Sequence, residues 1–253
     1  MINLLLLLLK SPEMKHLPNF ITCLNLASGF LAILFAWNGN LLTASWLIAG
    51  AMVFDFLDGF AARLLGAYSD LGKELDSLAD IVSFGIAPAL IVYSILSGSG
   101  LHIQPGDGTA LNPLAALISV IMPVCAGLRL AKFNTDSEQT TSFRGLPTPA
   151  NAIAVISLVI AGAYSDLPAL RSFTDSAAAI SVYSLVLSVL MVTRIPLLSL
   201  KVSNLRVKGN EGRYILAGLV LVSFIILGIA AAPLIIPFYI AASWTSPLFR
   251  TAV

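Results

Sequence analysis

Long apolar runs, separated by short polar segments, repeat along the whole chain. Each run has about 20 residues, which is the length that an α-helix needs to cross a hydrocarbon core of about 30 Å. Segments of this length favour helices over the shorter strands of a membrane barrel. We predict eight spans, at 19–38, 41–65, 73–97, 112–132, 150–165, 176–193, 214–231 and 233–248.

Composition and charge place this pattern in a membrane. Of the 253 residues 58% are hydrophobic and only 11% are charged, which is too little polar surface for a soluble domain of this size. With the N-terminus inside, Arg171 is the one cation among 14 Lys and Arg residues that falls in an outer loop. The sequence therefore predicts an all-α, polytopic transmembrane helix bundle in the cell (inner) membrane, with both termini in the cytoplasm.

A single domain, 1–253, is expected. Its first part, 1–18, contains the run MINLLLLLLK, which lacks a basic start and a small-residue cleavage site, so we predict an interfacial segment rather than a signal peptide. Residues 19–193 form a six-helix core, and residues 194–253 add a basic loop and two further spans. Cys23 and Cys125 lie in apolar spans without a CxxC spacing and are expected to be small buried hydrophobes.

Four carboxylates interrupt the second and third apolar runs. Asp55 and Asp58 are three residues apart near the end of one span, and Asp76 and Asp80 are four apart near the start of the next. Both spacings place the two side chains on one face of a helix. A tight turn at 66–71 would make the helices antiparallel neighbours, so the acidic faces can meet. Isolated intramembrane acids often make helix–helix contacts, but four at these spacings favour a functional site.

Four clustered carboxylates cannot all stay ionised without positive charge, and Arg63 and Lys73 are too few to balance them. Oxygen ligands without His or Cys favour Mg²⁺ or Mn²⁺, and four Asp can hold two ions about 3.5–4 Å apart. Such a pair suits a diphosphate. Gly59, Ala62 and Gly72 leave room for a bulky ligand, and Arg63 is placed to bind phosphate as a fork.

This block resembles a known family signature. The pattern Asp55-x2-Asp58-Gly59-x2-Ala62-Arg63-x8-Gly72-x3-Asp76-x3-Asp80 matches that of the CDP-alcohol phosphotransferases at every fixed position. Those enzymes use divalent metal while a hydroxyl nucleophile displaces CMP from a CDP-linked lipid or alcohol. The resemblance implies an enzyme of this kind and a homodimer.

The resemblance also implies a role for each residue of the block. It implies that Asp55, Asp58 and Asp76 bind metal, and that Asp80 binds metal and is the general base. The residues that it assigns to the CDP moiety are Asp58, Gly59, Ala62, Arg63 and Gly72.

Flanking segments narrow the resemblance to the membrane-integral CDP-diacylglycerol–serine O-phosphatidyltransferases. They are LPNFITCLNLASGFLAI (17–33), ELDSLADIVSFGIAPA (74–89), LRLAKFN (128–134) and GLPTPA (145–150). The implied reaction transfers a phosphatidyl group from CDP-diacylglycerol to L-serine, giving phosphatidylserine and CMP, at a site facing the cytoplasm. Asn19 and Thr22 would face the nucleotide by resemblance, although a helix-start cap also explains Asn19. Besides the two substrates and membrane lipid, we expect no nucleic-acid partner.

Serine brings a carboxylate that must be recognised beside two phosphates. Arg129 and Lys132, three apart at the inner end of the fourth span, are candidates to bind it or the lipid phosphate, and Arg144 in the next loop is another. They are equally explained as cytoplasmic anchors of the positive-inside kind. Ser83 is a weaker candidate for the same pocket, with helix packing as its alternative role.

Three other functions stay open on the sequence alone. The same family includes enzymes with glycerol 3-phosphate or inositol phosphate as acceptor. Intramembrane prenyltransferases also bind diphosphate through Asp motifs, but they need a second motif, and the later acids here are scattered. A proton-coupled transporter would spread its acids along a pathway at the midplane, whereas these are confined to one hairpin.

Overall fold

The structure, a computed structural model, describes residues 16–98, 112–135, 145–195, 197–198 and 210–250. Every regular element in these ranges is helical, which confirms the predicted all-α class. The helices are α1 (Leu17–Trp37), α2 (Leu41–Leu65), α3 (Asp70–Asp80), a π-helical turn (Ile81–Ile86), α4 (Ala87–Ser97), α5 (Pro113–Thr135), α6 (Thr148–Tyr164), α7 (Pro168–Thr174), α8 (Ala177–Val192), α9 (Glu211–Leu227), a 3₁₀ segment (Gly228–Leu234) and α10 (Ile235–Arg250).

Five helical runs of the described chain are long and apolar enough to cross a membrane: Leu17–Trp37, Leu41–Leu65, Asp70–Ser97, Pro113–Thr135 and Glu211–Ser243. A sixth arises if α7 and α8, which meet at a bend of 78°, form one broken span. The predicted count of eight differs because α6 has only 17 residues and because the 3₁₀ segment joins α9 to α10 without a gap. The chain is a membrane protein, while the number of spans and the side on which the termini lie stay predictions.

The hairpin between α2 and α3 is defined by local backbone chemistry. Gly66 ends α2 in the left-handed conformation at φ +60°, where a residue with a Cβ would be strained. Ser69 then begins α3, because its hydroxyl accepts a hydrogen bond from the Gly72 N–H at 3.0 Å. The two helix ends that carry the acidic residues are therefore joined by a turn of only a few residues.

A π-helical turn follows Asp80 directly, and a proline accounts for it. In an α-helix the Phe84 carbonyl would accept from the N–H of residue 88, but Pro88 has none. Asn151 of α6 supplies the missing donor, since its side-chain amide donates to the Phe84 carbonyl at 3.3 Å. Phe84 and Asn151 are both fully buried, so this bond fastens the turn to the centre of the bundle.

Helix α6 lies at that centre. It contacts α2, α4, α8, the π-helical turn and the 3₁₀ segment, and most of its side chains are buried. A helix that is apolar all round suits such a position, because no face of it must meet water or lipid head groups. Its first turn is therefore placed against the end of α3, where the acidic residues lie.

A second close contact, between α1 and the π-helical turn, also fixes the position of that turn. A Cβ on Gly29 would lie 2.2 Å from the Ser83 hydroxyl oxygen and 2.7 Å from the Ser83 Cα, so only glycine fits there. The Ser83 hydroxyl also donates to the Asn25 carbonyl at 3.1 Å. These contacts hold α1 against the helix that carries Asp80. Of the two roles that the sequence left open for Ser83, the serine pocket and helix packing, they support helix packing.

This contact predicts the effect of one added methyl group. Gly29→Ala should lower the melting temperature of the detergent-solubilised protein, because the clash is with backbone that cannot rotate away, and overpacking of this kind costs about 1–3 kcal/mol. Gly127→Ala in α5 is the matched control, since a Cβ there meets nothing within 4 Å. Equal melting temperatures for the two variants would contradict the close packing of α1.

Candidate active site

Three carboxylates from two helices converge at the α2–α3 hairpin. Asp55 comes from α2 and Asp76 and Asp80 come from α3, and one oxygen of each lies within 4.8 Å of the others. The spacing of four residues places Asp76 and Asp80 one above the other, and the antiparallel neighbour brings Asp55 to the same point. No second group of three such ligands occurs in the described ranges.

These carboxylates are poorly solvated and poorly paired. Asp58 is 5% exposed and Asp80 8% exposed, and Asp58 Oδ2, Asp76 Oδ1 and Asp80 Oδ1 are buried without a hydrogen-bond partner among the described residues. None of the four acids forms an ion pair with a Lys or Arg of that part of the chain. Two ionised groups 4.8 Å apart repel each other by roughly 3.5 kcal/mol at an effective dielectric constant of about 20.

The donor set fits a hard divalent cation. It consists of carboxylate oxygens alone, and Mg²⁺ and Mn²⁺ prefer such ligands over the nitrogen and sulfur ligands that select zinc. Asp76 Oδ1, which is buried and has no hydrogen-bond partner among the described residues, is an atom that a cation would satisfy. The acidic group can therefore bind metal.

Asp58 lies next to this trio but is not part of it. It lines a neighbouring cavity of about 220 Å³ together with Asp76, so Asp76 belongs both to the acidic group and to the cavity wall. Asn19, Thr22, Gly59, Ala62 and Gly72 also line the cavity. The structure thus collects in one place most of the residues for which the sequence implied contact with the CDP moiety.

Two glycines of the signature have different surroundings. A Cβ on Gly72 would lie 2.9 Å from the Asn19 side-chain oxygen and 3.0 Å from the Ser69 hydroxyl oxygen, so Gly72 allows α1 and α3 to approach closely. A Cβ on Gly59 would meet nothing within 4 Å, so that glycine keeps space open beside Asp58. Of these two glycines, only Gly59 has the open space that the sequence led us to expect for a ligand.

The cations near the site fall into two groups. Lys73 lines the cavity, and its ammonium donates to the Asn134 carbonyl at 3.1 Å. Arg129 is half-buried, lies within electrostatic range of Asp80 and Tyr239, and has a buried Nε without a partner in the described ranges. Arg63 and Lys132 are exposed, and Arg63 is not among the residues that line the cavity. Arg144 lies outside the described residues.

Thr148 is a site residue that our reading of the sequence did not single out. It is 1% exposed at the start of α6, and its hydroxyl donates to Asp80 Oδ2 at 3.4 Å. The segment GLPTPA was noted only as part of a resemblance. A polar residue between two prolines at the start of an apolar helix was the available signal, but it does not say what the hydroxyl contacts.

Known proteins share much of this sequence. A family model described as CDP-alcohol phosphatidyltransferase matches residues 15–193. The CDP-diacylglycerol–serine O-phosphatidyltransferase of Bacillus subtilis (strain 168) is 35% identical over 182 residues, which cover 72% of this chain and 89% of that protein.

Two further relatives are longer than the region they share with this chain. The CDP-diacylglycerol–serine O-phosphatidyltransferase of Mycobacterium leprae (strain TN) is 36% identical over 157 residues, 59% of this chain and 48% of that protein. The archaetidylserine synthase of Methanothermobacter thermautotrophicus is 37% identical over 155 residues, 60% of this chain and 61% of that protein. The chain thus spans about half to three fifths of the length of these two relatives.

The unbalanced acidic group predicts that divalent cations stabilise the folded protein. A cation present at 100 times its dissociation constant adds about 2.7 kcal/mol to the free energy of unfolding, which thermal unfolding with Mg²⁺ or Mn²⁺ can detect. Asp55→Asn and Asp76→Asn should each abolish most of this shift. Asp70→Asn, on the exposed first turn of α3, is the matched control and should keep it. An equal shift in all four proteins would show that the cation binds elsewhere.

Proposed function

The chain belongs to the CDP-alcohol phosphatidyltransferase family, and we propose that it transfers the phosphatidyl group of CDP-diacylglycerol to the hydroxyl of L-serine, giving phosphatidylserine and CMP. The observation that carries the proposal is the acidic group of Asp55, Asp76 and Asp80 beside a cavity lined by signature residues. The names of the Bacillus and Mycobacterium relatives support serine as the acceptor.

The cavity provides the donor site. The residues Asn19, Thr22 and Gly59 line this cavity and would contact the cytidine and diphosphate, and Asp58 and Asp76 of the same wall would face the diphosphate. Asp55, Asp58, Asp76 and Asp80 would hold two divalent cations, Mg²⁺ or Mn²⁺, which would supply positive charge for the phosphoryl oxygens and for the departing CMP. The carboxylates themselves would bind and orient that charge beside the diphosphate.

Asp80 takes the proton. Its Oδ1 is buried and has no hydrogen-bond partner among the described residues, so it can accept the proton of the serine hydroxyl as that oxygen attacks the phosphorus bonded to diacylglycerol. The new O–P bond forms as the bond from that phosphorus to the CMP phosphate oxygen breaks. The proton stays on Asp80 until the products leave.

Arg129 is the residue we assign to the serine carboxylate. Of the three cations that the sequence offered, it is half-buried and within range of Asp80, whereas Lys132 is exposed. An unpartnered guanidinium N–H in a partly buried position is suited to a carboxylate, which can accept two parallel hydrogen bonds. The serine hydroxyl would then lie on the side of Asp80.

The surroundings favour this reaction over the other functions. A prenyltransferase needs a second acidic motif. The described ranges contain no second group of three or more acidic, His or Cys ligands. Glycerol 3-phosphate and inositol phosphate carry a phosphate in place of the serine carboxylate, and the names of the relatives support the serine carboxylate instead. We place the enzyme in the cell (inner) membrane as a homodimer, with its active site on the cytoplasmic side where CMP is released.

A comparison of acceptors tests the function directly. Purified protein with CDP-diacylglycerol and divalent cation should release CMP fastest with L-serine, and slowly or not at all with glycerol 3-phosphate or inositol phosphate. Asp80→Asn keeps the shape of the side chain but removes the proton acceptor, so kcat with serine should fall by about 10²–10⁴-fold. Competition by CMP should show that the variant still binds nucleotide.

Three results would contradict parts of this account. Faster release of CMP with another acceptor would assign the chain to a different reaction of the family. Normal turnover by Asp80→Asn would remove Asp80 as the base. Loss of nucleotide binding in the same variant would make Asp80 chiefly a ligand of the metal.

Substitution of the two cations of α5 separates acceptor from donor binding. Arg129→Met should raise the KM for serine by roughly ten- to a hundredfold, which corresponds to one charge-assisted contact of about 1.5–3 kcal/mol, with a much smaller change in the KM for CDP-diacylglycerol. Lys132→Met removes the same charge at an exposed position and should change the serine KM far less. Equal effects of Arg129→Met on both substrates would instead place Arg129 at the lipid phosphate.

A further inference from the structure

The hydroxyl of Thr148 donates to a carboxylate on another helix, whereas several other buried hydroxyls of the described helices donate to backbone carbonyls. Ser45, Thr174 and Ser188 bond to the carbonyl four residues earlier in their own helix, which is the usual local bond of Ser and Thr in helices, and Ser83 bonds to the Asn25 carbonyl of α1. Thr148 is the first residue of α6, so no earlier turn of that helix offers it a carbonyl. Its hydroxyl donates to Asp80 Oδ2 instead.

The backbone before Thr148 is firmly anchored. Gly145 and Leu146 donate their N–H groups to the carbonyls of Ile195 and Leu190, each at 2.9 Å, at the end of α8. Gly145 has φ +78°, and a Cβ on it would lie 2.7 Å from two carbonyl oxygens of the same region. Thr148 therefore approaches Asp80 from a segment that these two hydrogen bonds anchor to the end of α8.

The hydroxyl of Thr148 and the N-terminal end of α6 both act on one oxygen of the Asp80 carboxylate, Oδ2. The N-terminal end of a helix carries partial positive charge, and Thr148 brings that end to Asp80. With Oδ2 held by the hydroxyl, Oδ1 is the oxygen of this carboxylate that has no partner in the part of the chain that the structure describes. A carboxyl group can rotate about its terminal bond, so a donor on one oxygen determines where the other oxygen points.

We propose that Thr148 is a positioning residue for the general base, holding Asp80 Oδ2 so that Oδ1 faces the acceptor hydroxyl. This inference rests on the proposed function, because it needs a hydroxyl acceptor from which Asp80 takes a proton. Thr148 itself touches neither substrate. It acts on the rate through the orientation of Asp80 alone.

Three variants test the role by steady-state kinetics. Thr148→Val keeps the shape and removes the donor, and it should lower kcat roughly tenfold while the KM values for serine and CDP-diacylglycerol change less than about twofold. Thr148→Ser restores the donor and should recover most of the rate. Thr174→Val, the same change at a buried threonine that bonds only within α7, is the matched control and should leave the rate unchanged.

A stability cycle tests the contact without turnover. In excess chelator, Thr148→Val should lower the melting temperature by roughly 2–4 °C in the parent protein but by much less in an Asp80→Ala background, because the bond is then already absent. Equal losses in both backgrounds would overturn the contact. Full kcat in Thr148→Val, or equal loss of kcat in Thr148→Val and Thr148→Ser, would overturn the positioning role while the proposed function stands. Absence of CMP release by the parent protein with every acceptor would overturn both.

Discussion

Mutual repulsion of carboxylates held in apolar surroundings is the constraint on which this structure depends. Asp55, Asp76 and Asp80 offer oxygens within 4.8 Å of one another, and the buried faces of α2 and α3 provide little water to screen them. Ionised carboxylates this close repel one another, so the rest of the fold must hold them together. The short hairpin, the packing of α1 and the central position of α6 each oppose the separation of the acidic residues.

The site is enclosed by helices with different tasks. Helix α1 brings Asn19 and Thr22 to the cavity, and its close approach at Gly29 fixes their height relative to Asp80. Helix α6 lies on the other side and contacts Asp80 through Thr148. Since Asp76 is shared between the acidic group and the cavity, a diphosphate in the cavity lies directly beside the proposed base.

Much of this could be predicted from local sequence. Helix class, the position of the hairpin and the common face of Asp76 and Asp80 follow from apolar run length and from the period of the α-helix, which are properties of neighbouring residues. The motif that predicts several residues of the cavity wall has all its fixed positions within 26 residues, 55–80. Within that block the structure brings Asp55, Asp76 and Asp80 together, whereas Arg63 does not line the cavity.

Features that depend on distant residues could not be predicted. Arg129 and Lys132 look alike in the sequence, and they differ only because the packing around α5 buries one and leaves the other exposed. The contact of Thr148 with Asp80 joins residues 68 positions apart, and the bond of Asn151 to Phe84 joins residues 67 apart. The division of the last apolar segment into spans 214–231 and 233–248 stays a prediction, because the 3₁₀ segment joins α9 to α10 without a gap.

The π-helical turn has a geometric consequence for the helix that carries the base. Such a turn holds one residue more than an α-turn, so everything after it is rotated by about 100° relative to an uninterrupted helix. The face on which α4 packs is therefore offset by that angle from the face that carries Asp76 and Asp80. One helical rod can satisfy two partners that a constant period would not allow it to satisfy together: the carboxylate of α2 at one end and the apolar core at the other.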